Sequence, residues 1–168
     1  MDIMQILKLS SIRVNFRGRY FLEFMNQSFS AQTTDISEIM NNIDIGIDLN
    51  SLYSSSNPVY MIDLNTEILL FANPVACANN QKTADKFLGE NFAALSYPEE
   101  LENRKRLLRL DGKLTNYEFA ALNYYQDGDF WRRKEVKYVT DFQKIEFFGC
   151  ECRLAIDLMR EETRRFVD

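Results

Sequence analysis

Hydrophobic positions in this chain fall on two periods. Between residues 35 and 50 they repeat helically. Ile36, Met40, Ile43 and Ile47 follow one another at spacings of four, three and four, the seam of a short coiled coil. Asp35 precedes the stripe as an N-cap, and Glu38 completes a capping box. Used as a seam, the stripe pairs two copies of the chain; used as a core face, it packs on the sheet of its own domain. Further upstream, Ile3, Ile6 and Leu7 predict a short first helix, and Arg17-Gly18-Arg19 breaks the aromatic-rich run from Phe16 to Phe29. Ser51 to Asn57 is Ser-rich and reads as a linker.

From Pro58 onward the pattern changes. Val59 to Leu64 is continuously apolar, a strand, and ends in a turn at Asp63-Leu64-Asn65-Thr66. Ile68 to Ala72 is its partner. Asn73 can cap a helix and Pro74 suits the first helical position, so a short helix is predicted over 75–79. A second runs from Thr83 to Leu88 and stops at Gly89. Pro98 opens a longer helix through Leu110, with Glu99, Glu100 and Glu102 early and Arg104, Lys105, Arg106 and Arg109 late, complementing the helix dipole. Three long strands follow: Leu114–Tyr125, Phe130–Phe142 and Ile145–Leu158. The Asp127-Gly128 pair, tolerant of positive φ, turns the first of them into the second. The predicted order is β-β-α-α-α-β-β-β, an α+β domain over 51–158. Residues 1–50 form a helical cap or dimerisation segment before it, and the charged, helix-prone 159–168 form a linker after it.

Composition narrows the function. Hydrophobic residues make up 46% of the 168 and aromatics 13%, enough for a β-rich core filled with rings. A net charge of −5 argues against direct nucleic-acid binding. No apolar run approaches the ~20 residues that span a bilayer, and Met1 to Leu9 lacks the form of a signal peptide. Three cysteines, Cys77, Cys150 and Cys152, give no disulfide framework, which fits a reducing cytoplasm. The chain has no histidine. Histidine-ligated haem, Ser-His-Asp or Cys-His catalysis and His-based zinc sites therefore cannot be built from it alone.

Catalytic chemistry finds little support. Cys150 and Cys152 share a strand face, but such neighbours have Cα atoms roughly 6.5–7 Å apart, at or past the disulfide limit. They read as small core residues. Glu118 and Glu135 could face each other across the long hairpin, yet alternation beside Phe119 and Val136 turns them to solvent. No phosphate loop or metal-ligand spacing occurs. The expectation is a protein that is not an enzyme.

Five local motifs, in order, resemble those of the PAS sensor family over about 100 residues. They are Asp63-Leu64-Asn65-Thr66; Phe71-Ala72-Asn73-Pro74; Lys86-Phe87-Leu88-Gly89; Asp127-Gly128 followed by Trp131; and Asp157-Leu158-Met159, where many members carry Asp-Ile-Thr and the third position here departs. The resemblance implies a five-stranded antiparallel sheet with short helices across one face, and an N-terminal helical cap that mediates dimerisation through Ile36, Met40, Ile43 and Ile47. It also implies a cavity or filled core between sheet and helices, with Tyr60, Ile62, Phe71, Phe92, Leu95, Tyr117, Phe119, Val136, Tyr138, Phe147, Cys152 and Leu154 as candidate lining. Asn73, Tyr117 and Tyr138 would supply its polar groups.

The same resemblance excludes a cysteinyl-flavin photosensor. Blue-light members carry Gly-x-Asn-Cys-Arg, and here the run is Gly89-Glu90-Asn91-Phe92-Ala93. No cofactor is therefore expected. The implied function is a sensor or interaction module in signal transduction or transcriptional regulation. It would be a homodimer, it would take a small apolar ligand, and its output would come from an effector protein or a further domain. Two alternatives stay open: a ligand-free dimerisation domain, and a small-molecule enzyme or carrier on a curved sheet.

Overall fold

A computed structural model describes residues 49–147 and 150–166. The stripe Ile36, Met40, Ile43 and Ile47 lies outside the described residues. Helix α1 (Leu49–Ser54) comes first, then strands β1 (Val59–Asp63) and β2 (Leu69–Ala72). Three short helical elements follow: α2 (Pro74–Asn79), α3 (Ala84–Phe87) and a 3-10 turn, η1 (Phe92–Leu95). The longest helix among the described residues, α4 (Pro98–Asp111), leads into β3 (Lys113–Asp127), β4 (Phe130–Phe147) and β5 (Cys150–Arg165). All neighbouring strands are antiparallel, in the order β2-β1-β5-β4-β3. This is the five-stranded α+β sheet expected from the sequence.

Local chemistry sets the corners. At the end of β1 the Asp63 carboxylate accepts from Asn65 N at 2.8 Å and Thr66 N at 2.9 Å, an Asx turn. It leaves Glu67 at φ 61 with its side chain buried. Asn73 caps α2 by accepting from Ala76 N. Helix α4 starts on Pro98 and ends on Gly112 at φ 71, whose N–H reaches Leu108 O at 2.9 Å. Gly128 and Asp129 close the β3–β4 hairpin, with Asp127 opposite Phe130. Only Gly128 of the two has positive φ, 61, as in a II′ turn. Register shifts at Glu135/Val136 and Val139/Thr140 bend β4 and β5 locally, as bulges do. Tyr60, Ile62, Leu64, Leu69, Phe87, Leu108, Phe142 and Ala155 form the core between the sheet and the helices.

Three boundaries differ from expectation. The Ser-rich linker begins as helix α1. The break between the last two strands falls after Phe147, five residues later than predicted. Residues 159–165, expected to be helical, continue β5. Their partner strand decides this: β4 extends far enough to pair Met159 with Val139, Arg160 with Tyr138 and Arg165 with Lys134. Ladder pairing there overrides the helix-prone composition.

Candidate functional site

A cavity of about 60 Å³ lies between the inner sheet face and the helical layer. Alternation selects its walls. Tyr60 and Ile62 come from β1, Phe119, Ala121 and Asn123 from β3, Tyr138 and Phe142 from β4, and Arg153, Ala155 and Asp157 from β5. The helical layer supplies Asn80, Phe92, Leu95 and Arg104. Phe119 stacks on Tyr138 with centroids 5.3 Å apart, and Tyr60 meets Phe92 at 5.8 Å.

One end of the cavity is charged. Helix α4 turns Leu101, Arg104, Lys105 and Leu108 inward, a helical core stripe whose two middle positions are cations. The Arg104 guanidinium lies 4.4 Å from the Phe119 ring centre and 5.0 Å from that of Phe142, in cation–π contact with both. Its Nε is 3.2 Å from Glu100 Oε1, an ion-pair distance without hydrogen-bond geometry. Burial, and then the charge of Arg153, pull its pKa down to about 10. Arg153 donates from Nη1 to Glu67 Oε1 at 2.6 Å. Lys105 Nζ stands 3.7 Å from that same oxygen. Burial raises the pKa of Glu100 against the pull of Arg104.

The other end is polar. Asn123 Nδ2 donates to Asn80 Oδ1 and to the Tyr138 hydroxyl, both at 3.1 Å. Asn80 Nδ2 donates to the Tyr60 hydroxyl at 3.2 Å. Thr140 Oγ1 donates to Asp157 Oδ1 at 2.7 Å. Burial pushes the Asp157 carboxyl up to about 6, opposed by the Thr140 hydrogen bond and by Arg160. The Tyr60 and Tyr138 hydroxyls are likewise pushed up by burial.

Of the candidate lining residues, Tyr60, Ile62, Phe92, Leu95, Phe119 and Tyr138 stand on the cavity wall. Val136 packs beside the wall, on the same face, against Ala121 and Tyr138, and Tyr117 packs edge-on to Phe142 at 6.0 Å. Phe71, Cys152 and Leu154 are corrections. Phe71 and Leu154 both pair with Met61, and Cys152 pairs with Asp63. They therefore face the opposite side of the sheet from Tyr60, Ile62, Arg153 and Ala155. Asn73 is also a correction: it is fully buried but structural, accepting from Val59 N and Ala76 N and donating to Asn57 O. The Phe147 side chain lies outside the described residues. Glu118 and Glu135 do not meet, since their partners across the hairpin are Val139 and Leu122.

Sequence reasoning missed Arg104, Arg153, Asn80, Asn123 and Asp157. The spacing 101, 104, 105, 108 carried the signal for Arg104. On β5, the apolar set Cys152, Leu154 and Ile156 drew attention away from Arg153, Ala155 and Asp157.

The antiparallel five-stranded sheet, the short helices on one face and the cavity between them are the arrangement that the sequence motifs implied. The fold is PAS-like. No family model and no curated relative matches the chain. Among solved structures it is similar to a PAS domain from a two-component sensor histidine kinase, at 13% identity over 68% of this chain and 91% of that one, with a TM-score of 0.48. It is similar to the PAS domain of an HTR-like protein from Haloarcula marismortui, at 16% identity over 68% and 94%, with a TM-score of 0.46. It is also similar to the photo-excited blue-light photoreceptor Vivid, at 9% identity over 84% and 96%, with a TM-score of 0.45. Among the described residues, no helix is long and apolar enough to cross a membrane.

Proposed function

We propose that this PAS-like domain is a sensor module in signal transduction or transcriptional regulation, binding a small molecule in the cavity between sheet and helices and performing no chemistry on it. The observation that carries the reading is the cavity wall. It joins aromatic faces to a few fixed polar groups, the usual make-up of a small-molecule site. Asn80, Asn123, Tyr138, Arg104 and Asp157 supply those groups. A single strand links cavity to periphery, because β5 carries Arg153, Ala155 and Asp157 on the wall and runs on to Arg165. A ligand that shifts these residues shifts the strand with them. Output then passes to an effector protein or a further domain.

The protein works as a cytoplasmic homodimer joined through Ile36, Met40, Ile43 and Ile47. Native mass spectrometry of the gently purified protein tests both halves. The expected result is a dimer carrying a small, dissociable mass. The dimer half fails if Ile43→Asp leaves the sedimentation coefficient unchanged. The sensor half fails if no small molecule co-purifies and none from a broad metabolite panel raises the melting temperature.

A further inference from the structure

The thinnest part of the cavity wall is residues 91–97. The η1 turn within it has no fully buried residue, and Ala93 and Ala94 are exposed. Phe92, Leu95 and Ser96 nevertheless line the cavity. The segment runs from one edge of the sheet to the other. At one end Asn91 bridges to Ile68, just before β2, and Phe92 N donates to Glu67 O at 2.8 Å. At the other end Ser96 bridges to Ala121 on β3. Since β2 and β3 are the two edge strands, residues 91–97 form a strap across the cavity face.

A side chain fastens the strap at its β3 end. The Tyr97 hydroxyl donates to Glu135 Oε2 on β4. The other carboxylate oxygen, Oε1, accepts from Thr163 Oγ1 at 3.0 Å, and the same hydroxyl lies 3.3 Å from the Glu135 carbonyl oxygen. Thr163 sits at a break in the ladder. Glu135 pairs with Arg164 and Val136 with Glu162, so Thr163 is the extra residue of a bulge. One carboxylate thus holds both the strap and the bulge near the end of β5. The Tyr97 bond, and then the Thr163 bond, keep that carboxyl below its ordinary range, so it is a charged acceptor at neutral pH. Arg164 stands near Tyr97 and Glu135, and its charge acts on both. These bonds are partly or fully exposed. They add little to global stability, but a local opening breaks no core and is biased by single bonds.

We propose that residues 91–97 are the gate of the cavity, latched by Tyr97 on Glu135, and that gate and β5 end loosen together because Glu135 also clamps Thr163. This rests on the sensor reading and supplies the regulation of its site. A ligand that enters the cavity displaces Phe92 and Leu95, draws Tyr97 from Glu135 and frees the bulge at Thr163. The coupling runs both ways: whatever immobilises the end of β5 also keeps the gate shut.

Hydrogen–deuterium exchange of the full chain, from milliseconds to hours, reads both ends without a ligand. Tyr97→Phe should speed exchange over 92–97 about two- to tenfold, the value of one hydrogen bond, and should speed 161–165 as well. Thr163→Val should in return speed 92–97. Arg164→Ala is the control for a direct route between Tyr97 and its cationic neighbour, and should leave 92–97 unchanged. Access to the cavity is read by Ala121→Cys on its wall, labelled with methyl methanethiosulfonate and located by peptide mass apart from Cys77, Cys150 and Cys152; Ala155→Cys replaces it if that variant fails to fold. Adding Tyr97→Phe should quicken the labelling about two- to tenfold. Acceleration confined to 92–97, or spread evenly over β1 and α4, would overturn the coupling. So would an Arg164→Ala variant that speeds the strap as much as Thr163→Val does. Unchanged labelling would overturn the gate. Neither readout involves a ligand, so these failures are distinct from failure of the sensor reading, which native mass spectrometry decides.

Discussion

Arg104 rests its guanidinium on Phe119, 4.4 Å from the ring centre, inside the domain rather than at its surface. The contact sets the energetic character of α4. A buried charge with incomplete hydrogen bonding contributes little to stability, because desolvation offsets its attractions. Replacing both members of its ion pair, Arg104→Met with Glu100→Leu, should therefore leave the protein equally stable or more stable, by up to about 2 kcal/mol. Glu67→Ala is the contrast. It strips Arg153, 1% exposed, of the carboxylate it bonds at 2.6 Å, and should cost about 3–5 kcal/mol. Urea unfolding of the two variants checks both signs. A strongly destabilised double variant would show that the Arg104–Glu100 pair holds α4 to the sheet.

Asp157 gives the stability a pH dependence. Its carboxyl, held at about 6 by burial against an ordinary 3.8, binds protons more tightly in the folded state than in the unfolded one. Between those values the native protein carries more protons, so this group's contribution falls as pH rises and is fully unfavourable above pH 6. The interval corresponds to about 3 kcal/mol. Asp157→Asn removes the charge and keeps an acceptor for the Thr140 hydroxyl. The variant should match the parent near pH 4 and exceed it by up to about 3 kcal/mol near pH 8. Identical stability curves across that range would mean that Arg160 fully offsets the burial of the carboxylate.

The sheet was readable because its signals are local. Asp63 with Asn65 and Thr66, Asn73 before Pro74, and Gly128 after Asp127 each fix a corner through one side chain or one φ angle. The interior was less readable, since hydrophobicity was the only guide to which strand face turns inward. That guide works on β1, where Tyr60 and Ile62 line the cavity, but both faces of β1 and β5 are buried. Met61 is 0% exposed and Leu154 6%, as buried as Ile62 at 2% and Ala155 at 4%. With both faces apolar or buried, alternation gives no parity, and neither Arg153 nor Asp157 stands out as an inward-facing charge. The end of β5 failed for a different reason. Glu161 to Arg165 is strand only because β4 is long enough to pair with it, a fact about the partner and not about the segment itself.

The β3–β4 hairpin isolates a backbone effect. A Cβ placed on Gly128 meets no atom within 4 Å, so a substitution there is not blocked by packing. Its φ of 61 remains, and a β-branched residue fits that region badly. Gly128→Val should cost about 1–2 kcal/mol, and Gly128→Asn, which tolerates positive φ better, distinctly less. Trp131 reports on the same hairpin. It is 47% exposed with Lys82 Nζ 5.6 Å from its ring, so its native emission should lie between buried and free tryptophan and move only modestly to the red on unfolding. Equal losses for the Val and Asn variants would place the cost in packing and not in φ.

Asn73 is the residue whose loss should be felt most widely for its size. Its Oδ1 accepts from Val59 N and Ala76 N, each at 3.0 Å, tying β1 to the start of α2. Its Nδ2 donates to Asn57 O at 2.8 Å and to Leu52 O and Ser55 O at 3.3 Å, tying both to α1 and the segment after it. The side chain is fully buried, so each abandoned partner loses a hydrogen bond that water does not readily replace. Asn73→Ala should cost about 2–4 kcal/mol, the helix cap and the orphaned Val59 N–H together. Asn73→Asp separates the two halves of the amide. It keeps the acceptor and, when ionised, sets a carboxylate against the three carbonyls that Nδ2 had served. The repulsion should raise the folded-state pKa of that carboxyl, so the variant should be least stable above neutral pH and recover part of the loss as the carboxyl is protonated, regaining one donor. Denaturation of both variants at pH 5 and pH 8 decides it: an Asn73→Asp variant as stable as the parent at both would mean that the accepted bonds, and not the donated ones, hold these elements together.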